Sequence, residues 1–180
     1  MKATGIVRRV DDLGRIVIPK EIRRTLRIHE GDPLEIYTEK DGGVIFKKYS
    51  PLGDLQEFAD QLCQAMGTAT GRVAAVSDRD GVISLWGAAR RELLDRNNSR
   101  ELEQLMQERK TYCFSPGGLL IPAVEGEQRY HLGAAAPILY EGDLGGCVML
   151  LMDREDQPVR QGEVELVQTV ADFLGRQMEC

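Results

Sequence analysis

The chain has few of the residues that carry most enzyme and metal chemistry. Its 180 residues hold two histidines, His29 and His131, and four cysteines, Cys63, Cys113, Cys147 and Cys180, with no Cys-x-x-Cys pair. That scarcity excludes the ligand spacing of a zinc site, and dispersed cysteines read as free thiols in a reducing compartment. No apolar run approaches the ~20 residues that span a bilayer. The opening MKATGIVRRVDD lacks the apolar stretch of a secretion signal. The expectation is a cytoplasmic protein with no metal, no cofactor, no catalytic residues and no membrane contact. Hydrophobic content of 42% and charged content of 29% are ordinary for a soluble globular chain of one large or two small domains.

Positive charge, by contrast, is concentrated in one place. The net formal charge is −6, yet residues 1–50 carry 11 Lys/Arg against 8 Asp/Glu, a net of +3. Residues 51–180 carry 12 against 21, a net of −9. The stretch RRVDDLGRIVIPKEIRRTLR, Arg8 to Arg27, holds six arginines and one lysine against three acids. Such asymmetry suggests a nucleic-acid-facing arm on an acidic body. Pro51 and Gly53 punctuate the break, giving a domain over 1–50, a linker over 51–53 and a second domain over 54–180.

The first domain reads as β-β-α-β-β. Strands are expected over about Gly5–Val10 and Arg15–Ile18, around the turn Asp11-Asp12-Leu13-Gly14. Pro19 suits the first position of a short helix over Lys20–Leu26. Leu34–Thr38 and Val44–Lys48 flank Asp41-Gly42-Gly43 as a hairpin. About 50 residues bury too little surface for a comfortable monomer, and there is no cysteine or metal cluster to help. An intertwined dimer sharing one core follows from size alone.

Ile22 and Leu26 are expected to form the buried stripe of the short helix, turning Arg23, Arg24 and Arg27 outward as a basic ridge. Arg8 and Arg15 bracket the turn. Arginine suits phosphate and guanine edges because its planar fork donates two hydrogen bonds at once. Pairing with Asp11, Asp12 and Glu21 on a solvated face is the bland alternative; the charge pattern alone favours DNA over it.

The elements TGIVR, LGRIVIPKEIRRTL and GDPLEI carry a closer resemblance. The first fifty residues, KATGIVRRVDDLGRIVIPKEIRRTLRIHEGDPLEIYTEKDGGVIFKKYSP, resemble the DNA-binding domain of the AbrB/SpoVT family. That resemblance implies a swapped-hairpin dimer binding double-stranded DNA through Arg8, Arg15, Arg23 and Arg24. Arg9 stands where some members have lysine, and Arg27 is a further basic candidate.

After Asp54 the pattern changes. Leu55, Phe58, Ala59, Leu62, Ala65 and Met66 recur at helical spacing. Strands are expected over Val73–Ser77 and Val82–Trp86, and helices over Ala88–Arg96 and Ser99–Lys110, with Ser99 as N-cap. Further strands are expected over Thr111–Phe114, Leu119–Ala123, His131–Tyr140 and Leu144–Met152, and a final helix over about Gln161–Met178. That helix has one apolar stripe through Val164, Val167, Ala171, Leu174 and Met178, and a second through Leu166, Val170 and Phe173. The second stripe wants a partner helix, from another chain or from the first helix of the same domain.

Merged, the order α-β-β-α-β-β-β-α resembles a GAF domain, a small-molecule sensor fold. The whole is thus α+β: an AbrB-type swapped-hairpin domain followed by a GAF-like α/β domain. The combination resembles the sporulation regulators of the AbrB/SpoVT family. It implies a homotetrameric transcription regulator, activator and repressor, of late forespore-expressed genes in endospore-forming bacteria. A general AbrB-like transition-state regulator is the neighbouring alternative. Trp86, Tyr112, Phe114, Tyr130 and His131 are candidates to line a ligand pocket, although such residues at strand positions are more often core. His131 is expected to pair with a carboxylate or carbonyl.

Two rival readings remain. Some GAF proteins use cysteine thiolates catalytically, but Cys63, Cys113 and Cys147 sit on apolar patterns that make thiols inert, leaving Cys180 as the reactive one. Related swapped-hairpin proteins are antitoxins, which usually end in a disordered acidic tail, whereas residues 51–180 are apolar enough to fold. For DNA, eight arginines per dimer imply that log affinity falls with log salt at a slope of about −5 to −7.

Overall fold

The computed structural model describes residues 5–153 and 158–179. The chain divides into two compact units, residues 1–49 and 50–180. In the first, α1 spans Lys20–Thr25, and β1 (Leu34–Thr38) pairs antiparallel with β2 (Val44–Lys48) in the register Ile36↔Phe46. The hairpin turns where Glu39 N–H reaches Gly43 O at 2.8 Å and Asp41 Oδ1 accepts from Gly43 N–H at 3.1 Å. Gly42, at φ +89°, takes the left-handed position such a turn needs. Pro19 is the N-cap of α1 rather than its first residue, its carbonyl accepting from Arg23 N–H at 2.9 Å.

The expected strands over Gly5–Val10 and Arg15–Ile18 are not formed within the chain. Only the turn between them closes, through Asp11 N–H to Arg15 O and Gly14 N–H to Asp11 O, each 3.0 Å. Val7 and Val17 stand 84% and 71% exposed, and Leu26, expected in the buried stripe, is 55% exposed. Strands need a hydrogen-bonding edge and apolar side chains need a wall. In one copy of this unit no strand pairs with these segments and almost no wall shelters them: among its described residues only Pro19 is buried.

The second unit builds its own core. It begins with a 3-10 turn over Pro51–Leu55, so the segment 51–53 expected as a linker sends Leu52 fully into the interior. Its elements are α2 (Gln56–Thr70), β3 (Val73–Asp78), β4 (Val82–Trp86), α3 (Arg90–Leu93), α4 (Arg100–Gln107), β5 (Tyr112–Cys113), β6 (His131–Tyr140), β7 (Asp143–Met152) and α5 (Gln161–Met178). The five strands form one antiparallel sheet in the order β4-β3-β7-β6-β5. Pleating sends alternate side chains to opposite faces. Ala74, Val76, Val148 and Leu150 meet α2 and α5 in one core. Ala75, Met149 and Leu151 meet Leu93, Leu102 and Met106 in a second core beneath α3 and α4.

Departures from expectation cluster around that second core. The helix expected over Ala88–Arg96 shrinks to α3, because the chain turns at Asp95, in the left-handed region at φ +58°, and bonds to β4 instead: Asp95 N–H bonds Val82 O and Val82 N–H bonds Arg96 O. The helix expected to reach Lys110 ends at Gln107. Thr111–Phe114 narrows to β5, and Leu119–Ala123 forms no strand, making only the bridge Pro122↔His131. Ser99 caps α4 as expected, its Oγ accepting from Leu102 N–H at 3.0 Å.

One ion pair ties the start of β3 to the start of α5. Arg72 Nε and Nη2 donate to Glu163 Oε1 and Oε2 at 2.6 and 3.2 Å, and Glu163 Oε2 also accepts from Arg160 N–H at 2.6 Å. Burial pushes the Glu163 pKa up, but the Arg72 and Arg160 hydrogen bonds outweigh it and hold the carboxyl below its ordinary 4.5. A depressed folded-state pKa stabilises above the unfolded value and fades as pH falls. Glu163→Gln is therefore expected to lower unfolding free energy by about 1.5–3 kcal/mol at pH 7. The difference from wild type should shrink as chemical denaturation is repeated below pH 4.5.

Candidate nucleic-acid interface

The arginines of the first unit fall on two segments. Arg8, Arg9 and Arg15 flank the turn; Arg23 and Arg24 lie on α1, and Arg27 just beyond it. Arg8, Arg9, Arg15 and Arg24 are exposed, while Arg23 and Arg27 are half-buried. Arg27 sits at φ +52°, a left-handed position that stops the helix. Its carbonyl accepts from Lys48 Nζ at 2.8 Å. Lys48 also lies 3.5 Å from Asp32, whose carboxylate takes His29 N–H at 2.8 Å. These bonds join the end of the helical segment to the hairpin and so fix where the basic ridge stands.

The bland alternative, pairing with a neighbouring acid, applies to Arg15. Its Nε donates to Asp11 Oδ2 at 2.9 Å, while Asp11 Oδ1 accepts from Arg15 N–H at 2.8 Å and Leu13 N–H at 3.0 Å. The Arg15 N–H and then its guanidinium hold the Asp11 carboxyl below the ordinary aspartate range. Among the described residues no carboxylate forms an ion pair with Arg8, Arg9, Arg23 or Arg24. From the sequence Asp11 is an expected arginine partner without Arg15 being singled out, and the Asp32–Lys48 contact is not foreseen; the Asp-x-x-x-Arg turn and the Gly31-Asp32-Pro33 element are the signals that could have found them.

The five aromatic and histidine candidates of the second unit do not come together. Trp86 packs beneath α2, where a Cβ at Gly67 would fall 1.9 Å from its ring. Tyr112 and Tyr130 belong to the opposite face of the sheet. Tyr130 is buried, which raises its pKa, and the Arg129 guanidinium lies 4.9 Å from its ring centre. His131 is buried with no hydrogen-bond partner for Nδ1, against the expected pairing at that atom. Phe114 is half-buried beside Gly118. A cleft of about 380 Å³ lies between α4 and the 119–121 loop, lined by Leu105, Tyr112, Leu119 and Ile121 under Glu101 and Glu108. Tyr112 is the one candidate of the five that borders it. Among the described residues no cluster of His, Cys, Asp or Glu is placed to hold a metal ion, and no helix is long and apolar enough to cross a membrane.

Known proteins share both the sequence and this architecture. The family described as stage V sporulation protein T C-terminal, transcription factor, matches residues 54–179. Stage V sporulation protein T of Bacillus subtilis (strain 168) is 43% identical over 181 residues, 99% of each chain. The chain belongs to the stage V sporulation protein T family of transcription factors. Its first unit is shared more widely. The transition state regulatory protein AbrB of the same organism is 46% identical over 88 residues, 49% of this chain and 82% of AbrB. The MazE family of bacterial antitoxins matches residues 7–54. The GAF domain of an Acinetobacter phosphoenolpyruvate-protein phosphotransferase superposes with a TM-score of 0.55 at 11% identity, over 73% of this chain and 84% of that one. The second unit therefore has a GAF-like fold.

Within that fold two thiols are inert. Burial pushes Cys63 and Cys147 up to about 12. Cys113, expected to be sheltered, is exposed on the two-residue strand at the sheet edge; Cys180 lies outside the described residues. Alkylation of the native protein at pH 7.5 followed by peptide mass spectrometry is expected to label Cys113 readily. Cys63 and Cys147 should stay unlabelled until denaturant is added.

Proposed function

We propose that this transcription factor regulates sporulation genes by binding double-stranded DNA through Arg8, Arg9, Arg15, Arg23, Arg24 and Arg27, inside a spore-forming bacterial cell. The observation that carries the reading is the set of exposed, acid-free guanidiniums at Arg8, Arg9 and Arg24 on a unit of net positive charge within an otherwise acidic chain. A basic face on an acidic body binds polyanions locally while the body repels them. The unit acts as a homodimer whose two copies complete the strands over residues 5–18. Two such dimers are joined through α2 and α5, on which Phe58 and Phe173 remain 47% and 40% exposed.

Catalysis is not part of this reading: the buried thiols of Cys63 and Cys147 are held protonated, and among the described residues Cys113 forms no disulfide. An antitoxin role, which the match over residues 7–54 raises, fits poorly with a folded body that accounts for most of the chain. A small-molecule ligand would sit against the α4 cleft, where an apolar wall meets Glu101, Glu108 and Lys110.

Two experiments test these assignments. In fluorescence anisotropy with promoter DNA across a salt series, Arg24→Ala is expected to make the log–log slope less steep by about two per dimer, because each chain then neutralises one phosphate fewer. An unchanged slope would remove Arg24 from the interface. Phe173→Asp is expected to convert a tetramer to a dimer in analytical ultracentrifugation without changing the circular dichroism spectrum. A tetramer that survives both Phe58→Asp and Phe173→Asp would place its interface elsewhere.

A further inference from the structure

Arg15 differs from Arg8, Arg9, Arg23 and Arg24 in being held, among the described residues, by an acid. One carboxylate does two jobs there. Asp11 Oδ1 closes the turn by accepting from Leu13 N–H at 3.0 Å and Arg15 N–H at 2.8 Å, and Oδ2 takes the Arg15 Nε–H at 2.9 Å. Gly14, at φ +74°, lets the chain double back so that residue 15 returns to residue 11.

Guanidinium has five N–H donors in a fixed plane. With Nε engaged, the fork formed by Nη1 and Nη2 makes no hydrogen bond among the described residues, and the Nε bond restrains the plane of the guanidinium before any ligand arrives. Two physical consequences follow. The paired carboxylate cancels much of the charge by which Arg15 would attract a phosphate, and itself repels the DNA backbone. The restrained plane lowers the ordering cost of a two-bond contact. A target with two acceptors in one plane and no formal charge gains from both features, and guanine O6 and N7 form such a target in the major groove. Arg8, Arg9, Arg23 and Arg24, with no carboxylate paired to them among the described residues, suit phosphate oxygens instead.

We infer that Asp11 is a positioning residue that makes Arg15 the sequence-reading arginine of this surface, aimed at a guanine edge, while the acid-free arginines supply phosphate affinity. The inference rests on the DNA-binding reading above and adds a division of labour to it.

The test uses the full chain and two duplexes of equal length, one selected from random DNA by the wild-type protein and one scrambled. Guanines of the selected duplex are replaced singly by 7-deazaguanine, which lacks the N7 acceptor. At one guanine per half-site the replacement weakens wild type at least about fivefold and leaves Arg15→Ala unaffected. Asp11→Asn keeps an oxygen for the two backbone N–H groups but loses the charge. It narrows the ratio of selected to scrambled affinity, with a steeper salt slope as Arg15 turns to phosphate. Circular dichroism establishes that each variant is folded; should Asp11→Asn fail that control, the 7-deazaguanine series with Arg15→Ala decides alone. The inference is overturned if no guanine matters to wild type, or if the same guanine matters equally to Arg15→Ala. Absence of salt-dependent binding to either duplex, with Arg24→Ala indistinguishable from wild type, overturns the DNA-binding reading itself and is recognisably different from both.

Discussion

A segment of fifty residues with many branched apolar side chains and no disulfide or metal has to find its core outside itself. In the first unit this constraint governs everything else. Val7, Val10, Ile16, Val17, Leu26, Ile36 and Phe46 are exposed in the single chain, and the segments over 5–10 and 15–18 form no strand. What closes locally is the turn at Asp11–Arg15, the short α1 and the β1–β2 hairpin. These are the pieces whose hydrogen bonds are short-range, and they carry or adjoin the arginines. Completing the core with a second copy would double the number of guanidiniums on one surface at no cost in chain length.

The second unit obeys the opposite economy. Its sheet is covered on both faces, with separate apolar cores beneath α2 and α5 and beneath α3 and α4. The Arg72–Glu163 pair locks the last helix to the sheet, and the apolar surface left over includes Phe58 on α2 and Phe173 on α5 as well as Leu119, Leu120 and Leu139. Under the proposed assembly the first unit completes its core with a second copy, while the second already encloses two cores of its own. In such an arrangement avidity on paired DNA sites depends on how the body spaces the arms.

Much of this was legible in the sequence, for local reasons. β1, β2, β4, β6 and α5 fall where periodicity and turn residues put them, because strong alternation or helical spacing over a bounded run leaves little choice. Ser99 was readable as an N-cap from its hydroxyl and the acid two residues later. Failures came where tertiary contacts overrode propensity. Residues 88–96 hold good helix formers, but a turn at Asp95 and its bonds to Val82 of β4 end the helix at Leu93. Cys113 has strand-like neighbours, yet its strand is a two-residue edge that leaves it exposed. Trp86 and Tyr112 looked alike as pocket residues, although pleating sends them to opposite faces. The basic ridge was visible from composition; that Arg15 alone of the turn arginines is carboxylate-bound needed geometry.

Amide hydrogen exchange of the full chain, followed as a function of protein concentration, tests the central claim most directly. If a second copy completes the first unit, the amides of residues 6–10 and 16–18 are protected when sedimentation reports an oligomer. That protection falls on dilution in step with dissociation, while the amides of β6 and β7 stay protected throughout. Protection of residues 6–10 and 16–18 that persists in the monomer, or that is absent in the oligomer, contradicts the account.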